Sequence, residues 1–191
     1  QIDENKRDAT RRNHSATHLI HWALKEVLGE HVKQRGSLVG PDRLRFDFSH
    51  FEALKNTEMK AVENLVNERI LRNAQVETEI LSYEAAVEKG ATAFFGEKYG
   101  DSVRVVSMAE SLELCGGTHV RATGDIGSFK IVSEGGISSG VRRIEVVTGE
   151  AAIRYTQGQQ AMLNQVAAEI KAKPDNLIEK IQQVLQKQRE L

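Results

Sequence analysis

Between residues 14 and 29 the apolar positions recur at helical spacing. Leu19, Ala23 and Val27 stand four apart, with Ile20, Leu24 and Leu28 beside them. This predicts an amphipathic helix with Asn13 as its N-cap and Gly29 as its stop. Gly40-Pro41-Asp42 is turn chemistry between Ser37-Leu38-Val39 and the alternating Leu44-Arg45-Phe46-Asp47-Phe48, which predicts a β-hairpin. Thr57 is the expected cap of a second helix running to Arg72, with Met59, Val62, Val66 and Ile70 on one face. Residues 76–81 alternate as a strand, and 83–89 read as a short helix closed by Gly90. Residues 103–108, 126–133 and 141–148 read as three further strands, the last two joined by a flexible link from Gly135 to Gly140. Beyond Gly149 helix formers dominate. Two helical stretches, 151–172 and 176–191, are expected on either side of Pro174, where a helix interior would lose a bond. Leu177, Ile181, Val184 and Gln188 approximate a short heptad seam. The outline is an α+β fold: a mixed or antiparallel sheet with packed helices over residues 1–149, and a C-terminal helical tail over 150–191.

Composition narrows this outline. The 191 residues are 40% hydrophobic and 28% charged, with only 2 Pro, which excludes a disordered or fibrous chain. A body of this size buries a core without disulfide staples. The single cysteine, Cys115, excludes an internal disulfide and suits a reducing, cytoplasmic compartment. No apolar run approaches the roughly 18 residues of a membrane span, and no signal peptide opens the sequence. The first residue is Gln1 rather than Met, so a piece of a longer protein is expected. Net charge is −1, but residues 1–45 carry 9 Lys and Arg against 6 Asp and Glu, whereas residues 46–115 carry 7 against 13. A polyanion would meet the N-terminal part first.

His14 and His18 stand four apart on the predicted helix, so both imidazoles project from one face and can grip one metal ion. A zinc protease needs Glu directly after the first of these histidines, and here that position is Ser15. Cys115-Gly116-Gly117-Thr118-His119 repeats the four-residue spacing, on a tight loop because its glycines disfavour a helix. Thiolate and imidazole are ligands zinc prefers, and three His with one Cys complete a tetrahedron. Two other arrangements stay open at this point: three helical histidines including His21 with Cys115 uninvolved, or a buried Cys beside surface histidines. If outside the ligand set, His21 would donate an outer bond or simply pack. Gly135 to Gly140 followed by Arg142-Arg143 could offer N–H groups and guanidinium forks to an anion, but it matches no nucleotide-binding fingerprint. Alternation along a strand keeps Arg142 and Arg143 from facing the same side. Lys33, Gln34 and Arg35 form a further polar edge, and Asp47, Glu113 and Glu134 are carboxylates of the right type for a general base.

Taken together, Asn13-His14-Ser15-Ala16-Thr17-His18-Leu19, Cys115-Gly116-Gly117-Thr118-His119-Val120 and the stretch from Gly135 to Glu145 closely resemble the editing domain of bacterial alanyl-tRNA synthetases. That domain belongs to a wider superfamily with the threonyl-tRNA synthetase editing domain and freestanding alanyl-tRNA editing proteins. The resemblance runs from about Arg11 to Gly149, and the tail resembles the start of a connection to a C-terminal domain. It implies a zinc-dependent aminoacyl-tRNA hydrolase that removes serine or glycine wrongly esterified to tRNA(Ala). It further implies His14, His18, Cys115 and His119 as zinc ligands, Gln34 as a lining residue of the substrate pocket, and Arg142 and Arg143 in the pocket wall. The implied partners are the acceptor end of tRNA(Ala) and the rest of the synthetase, with no membrane and with self-association open through the tail. The alternatives carried forward are a freestanding-type deacylase, a zinc-stabilised tRNA-binding module without hydrolysis, and an oligomerisation segment in residues 151–191.

Overall fold

The computed structural model describes residues 3–93 and 100–190. They divide into two compact units, residues 1–152 and 153–191. The first unit carries α1 (Glu4–Leu28), β1 (Gln34–Val39), β2 (Leu44–Ser49), α2 (Asn56–Leu71), β3 (Val76–Ser82) and α3 (Tyr83–Glu88). These are followed by β4 (Ser102–Met108), β5 (Ser111–Leu114), β6 (Phe129–Ser138) and β7 (Val141–Thr148). Two antiparallel sheets result, one in the order β1-β2-β7-β6 and one in the order β3-β4-β5. The fold is α+β, as the element pattern predicts.

The core follows from the two periodicities. Leu44, Phe46 and Phe48 alternate along β2 and are sealed from water, as are Ile144 and Val146 opposite them on β7. Against this face pack Leu19, Ile20, Ala23 and Leu24 of α1 and Val62, Val66 and Ile70 of α2. A smaller cluster of Ala86, Val103, Val105 and Leu114 lies under the second sheet.

Several boundaries differ from the expected ones, each for a local reason. Helix α1 starts ten residues earlier, capped by Asp3, whose carboxylate accepts from the Lys6 N–H at 3.1 Å. Asn13 is therefore an interior helix residue and not a cap. It is 1% exposed, donates to the Gly40 carbonyl at 2.7 Å and accepts from Thr148 Oγ1 at 2.7 Å, pinning both the hairpin turn and the end of β7 to the helix. Helix α2 begins at Asn56 because Glu58 accepts from the Lys55 N–H at 2.8 Å, so Thr57 lies inside it. The span 126–128 is not strand: residues Thr123–Ile126 form a 3-10 turn, and Gly127 at φ +71° redirects the chain before β6. The expected flexible link is instead mostly strand, since Gly135 pairs with Arg143 and Gly136 with Arg142. Only Ser139 and Gly140 turn, with Gly140 at φ +69°. Strand β5, at four residues, carries no periodic signal of its own and is an addition to the predicted set.

In the second unit, α4 (Gly149–Glu169, beginning at the end of the first) is followed by a 3-10 turn at Pro174–Asn176 and by α5 (Leu177–Arg189). The break at Pro174 is where the sequence predicts it. Among the described residues, no helix is long and apolar enough to cross a membrane.

Replacing Asn13 by Ala strips buried partners from the Gly40 carbonyl and Thr148 hydroxyl, so we expect a loss of about 2–4 kcal/mol. A urea unfolding curve checks this; a shift below about 0.5 kcal/mol would contradict the pinning role.

Candidate metal centre

Helix α1 presents His14 and His18 one turn apart on the same face. Cys115 follows the end of β5, and the loop after it returns His119 to the same point. One ligand atom from each of His14, His18, Cys115 and His119 lies within 4.8 Å of the other three. His14 Nε2 is 3.5 Å and His119 Nε2 3.3 Å from Cys115 Sγ. Zinc bonds of about 2.0–2.3 Å require ligand atoms roughly 3.3–3.8 Å apart, so the set fits a tetrahedral ion with small adjustment. His18 Nε2 is buried without a hydrogen bond among the described residues, as a nitrogen reserved for a metal would be.

The ligands are held from behind. Glu113 is 4% exposed and accepts from Nδ1 of His18 through one carboxylate oxygen and from Nδ1 of His21 at 2.7 Å through the other. With its Nδ1 so engaged, His18 turns Nε2 to the cluster, the arrangement in which a carboxylate orients a metal-binding imidazole. His21 stands outside the ligand set and reaches the same carboxylate. His119 Nδ1 lies 3.3 Å from Ser15 Oγ, which also accepts from the Val120 N–H at 3.1 Å. The Arg104 guanidinium donates to the carbonyls of Cys115, at 3.1 Å, and Gly117. Gly117 faces the His14 ring so closely that a methyl group there would overlap it, which explains a glycine at this position.

Electrostatics follow this geometry. Burial pushes the Cys115 thiol up, but the adjoining imidazoles of His119, His14 and His18 outweigh that and bring it down to about 3. Burial would lower His18, yet Cys115 and Glu113 hold it up, at about 9. Burial also drives His119 down, against the pull of the Cys115 thiolate and aided by repulsion from the His18 side. Glu113 is held well below the usual carboxylate range by its two histidines despite burial.

The other sequence-nominated residues lie elsewhere. Gln34, at the start of β1, lines a cavity of about 270 Å³ together with His21, Lys25 and Thr92. Arg142 grips Glu134 through Nε and Nη2 at 2.6 and 2.8 Å, while Arg143 grips Asp47 at 2.7 and 2.8 Å. Their registers place Arg142 on the face of buried Phe48 and Arg143 on the face of Asp47, the opposite orientations that alternation requires. All three carboxylates eligible as a base are thus engaged: Asp47 and Glu134 by arginines, and Glu113 by imidazoles. Glu113, Ser15 and Arg104 carry the support of the centre. Glu113 stands two residues before Cys115, but a four-residue strand gives too little pattern to mark it as buried.

An α+β unit thus brings three imidazoles and a thiolate together on a helix and a loop, a donor set that could hold one metal ion. Residues 103–145 match the family described as the threonyl and alanyl tRNA synthetase second additional domain. Over its whole length the chain is 57% identical, across 192 residues, to an alanine–tRNA ligase of Idiomarina loihiensis. It is 58% identical across 192 residues to one of Saccharophagus degradans, and 54% across 191 to one of Halorhodospira halophila. Along its whole length the chain is therefore similar to alanine–tRNA ligases, and residues 103–145 of it match the second additional domain of threonyl and alanyl tRNA synthetases. It spans 22% of the length of each of these three relatives.

Two outcomes are expected. At pH 7 His18 carries a proton that a metal must displace, whereas Cys115 is already thiolate. Zinc affinity should therefore rise about tenfold per pH unit from 7 towards 9 and then level with respect to His18, while calorimetry in two buffers shows about one proton released at pH 7. A pH-independent affinity across that range would contradict a protonated His18. Separately, Glu113→Gln should weaken zinc binding roughly 10–100-fold in a chelator competition, through loss of the orienting carboxylate.

Proposed function

We propose that the chain is the deacylating domain of an alanine–tRNA ligase, hydrolysing the ester of serine or glycine wrongly joined to tRNA(Ala). The observation that carries this reading is the convergence of His14, His18, Cys115 and His119 in a chain aligned along its length with such ligases. The need for such a reaction is physical. A site shaped for alanine discriminates against the smaller glycine, or against serine with its added hydroxyl, by only about 1–3 kcal/mol, so a second site must remove the errors.

His14, His18, Cys115 and His119 would hold a zinc ion, which when bound supplies Lewis-acid polarisation of an ester carbonyl or a water acidic enough to ionise near neutrality. The surrounding side chains do the positioning. Glu113 and Ser15 fix the rings of His18 and His119, and Arg104 fixes the backbone between Cys115 and Gly117. Gln34, in the cavity that includes His21, offers an amide that can hydrogen-bond the amino acid's polar groups. Arg142 and Arg143 act through their carboxylate partners, bracing β6 and β2 against β7. A thiolate ligand suits the reducing cytoplasm, where the other parts of the ligase would supply the charged tRNA. Residues 153–191 would lead towards those parts.

The test is the rate of deacylation of seryl-tRNA(Ala) by the zinc-loaded chain, its Cys115→Ala variant and its Gln34→Ala variant. The reading expects hydrolysis by the parent, its disappearance in Cys115→Ala, and a reduced rate in Gln34→Ala. Four protein ligands are also the pattern of a structural zinc. A parent that binds zinc but leaves the ester intact, its circular dichroism collapsing on chelation, would favour a metal-stabilised binding module instead.

A further inference from the structure

A cleft of about 360 Å³ opens beside the metal centre, with His119 in its wall and Arg11, Arg12 and Arg121 around it. Arg11 precedes His14 by one turn of α1, so cleft and centre share a helix face. Two carboxylates also border the cleft. Asp8 is engaged by Arg11 at 2.9 Å. The Asp125 carboxylate accepts from the backbone N–H groups of Arg121 and Ala122, each at 3.2 Å, so a guanidinium does not neutralise it. Arg12 donates through Nε to the Asp125 carbonyl at 3.3 Å, and its two outer nitrogens meet no acceptor among the described residues. Arg121 is exposed, and its guanidinium meets no acidic partner among the described residues. Three guanidinium groups against two carboxylates leave an excess of positive charge at the edge of a metal ligand.

Resting on the reading that the centre works on an ester at an RNA 3′ end, we propose that this cleft binds the phosphodiester backbone of that end, with Arg121 and Arg12 as the phosphate-gripping groups. An ester delivered to the centre brings with it the phosphates of the strand behind it, and these anions must lie against the protein close to the ligands. Guanidinium forks bind phosphate oxygens through paired, charge-assisted hydrogen bonds. They carry no base information, so the cleft positions the strand whatever its sequence. The acidic balance of residues 46–115 makes a diffuse field over the whole chain a poor substitute for a local track.

The experiment measures anisotropy of a fluorescent, non-aminoacylated RNA hairpin with a single-stranded 3′ overhang, titrated with the zinc-loaded chain at several salt concentrations. The variants are Arg121→Glu and, as an independent check should the first not fold, Arg12→Ala. Lys60→Glu, an exposed charge reversal on α2, controls for net charge. Arg121→Glu should weaken binding about tenfold and reduce the slope of log affinity against log salt by about 0.7–1, the loss expected for one phosphate contact. Lys60→Glu should change neither. An unaltered slope in Arg121→Glu and Arg12→Ala, an equal loss in Lys60→Glu, or no binding by the parent would overturn the proposal. Binding is read apart from hydrolysis: a parent that shows the expected salt slope but leaves seryl-tRNA(Ala) intact supports the cleft and counts against the editing reading.

Discussion

A carboxylate sealed from water costs several kcal/mol unless hydrogen bonds and opposite charge compensate it, and Glu113 is such a carboxylate. Its two oxygens are satisfied by His18 and His21, both on α1, while the residue itself belongs to β5 in the smaller sheet. That one contact joins the two layers of the first unit where they must be in register. Cys115 follows two residues later, so its sulfur reaches the histidines only if β5 sits at the right height along α1. Helix, sheet and loop are adjusted to this buried triad. The centre inherits its geometry.

The loop from Cys115 to His119 shows how little freedom is left once that register is fixed. Arg104 holds two of its carbonyls from β4, and Ser15 ties the Val120 N–H and the His119 ring back to α1. The approach of Gly117 to His14 removes the room for any side chain. The ties come from β4 on one side and α1 on the other, so distortion of one is resisted by the other. A set of ligands drawn from positions 101 residues apart needs such support, because chain connectivity supplies none of it.

The same rule, that charge is placed and then matched, separates the two arginine populations. Arg142 and Arg143 close two-pronged bridges across β6, β7 and β2 and are spent on architecture. Around the cleft beside His119, Arg12 and Arg121 retain donors that no carboxylate takes up among the described residues. The proposed hydrolysis of an ester at the end of a polyanion would need both kinds: rigid walls for the small group that reacts, and open guanidinium groups for the strand that carries it.

Local physics made much of this legible in the sequence. Helical spacing marked the buried face of α1 and α2, alternation marked β2 and β7, and Pro174 marked the break in the tail. The four-residue spacings of His14 with His18 and of Cys115 with His119 singled out the residues that meet in space, because one helix turn or one tight loop fixes each pair internally. Their joining was not local. It depends on β5, too short to show a period, and on a buried glutamate whose partners lie more than ninety residues away. Asn13 looked like a cap and is a core tie, since its role depends on Gly40 and Thr148 arriving beside it. Gly135 and Gly136 looked like a loose link and are strand, since a neighbouring strand supplies the hydrogen bonds that their own propensity does not favour. Sequence determined the elements and the ligand types, because periodicity and side-chain chemistry are properties of a segment. Tertiary structure alone decided which charges are spent and which remain open, because pairing depends on what the rest of the chain brings within reach.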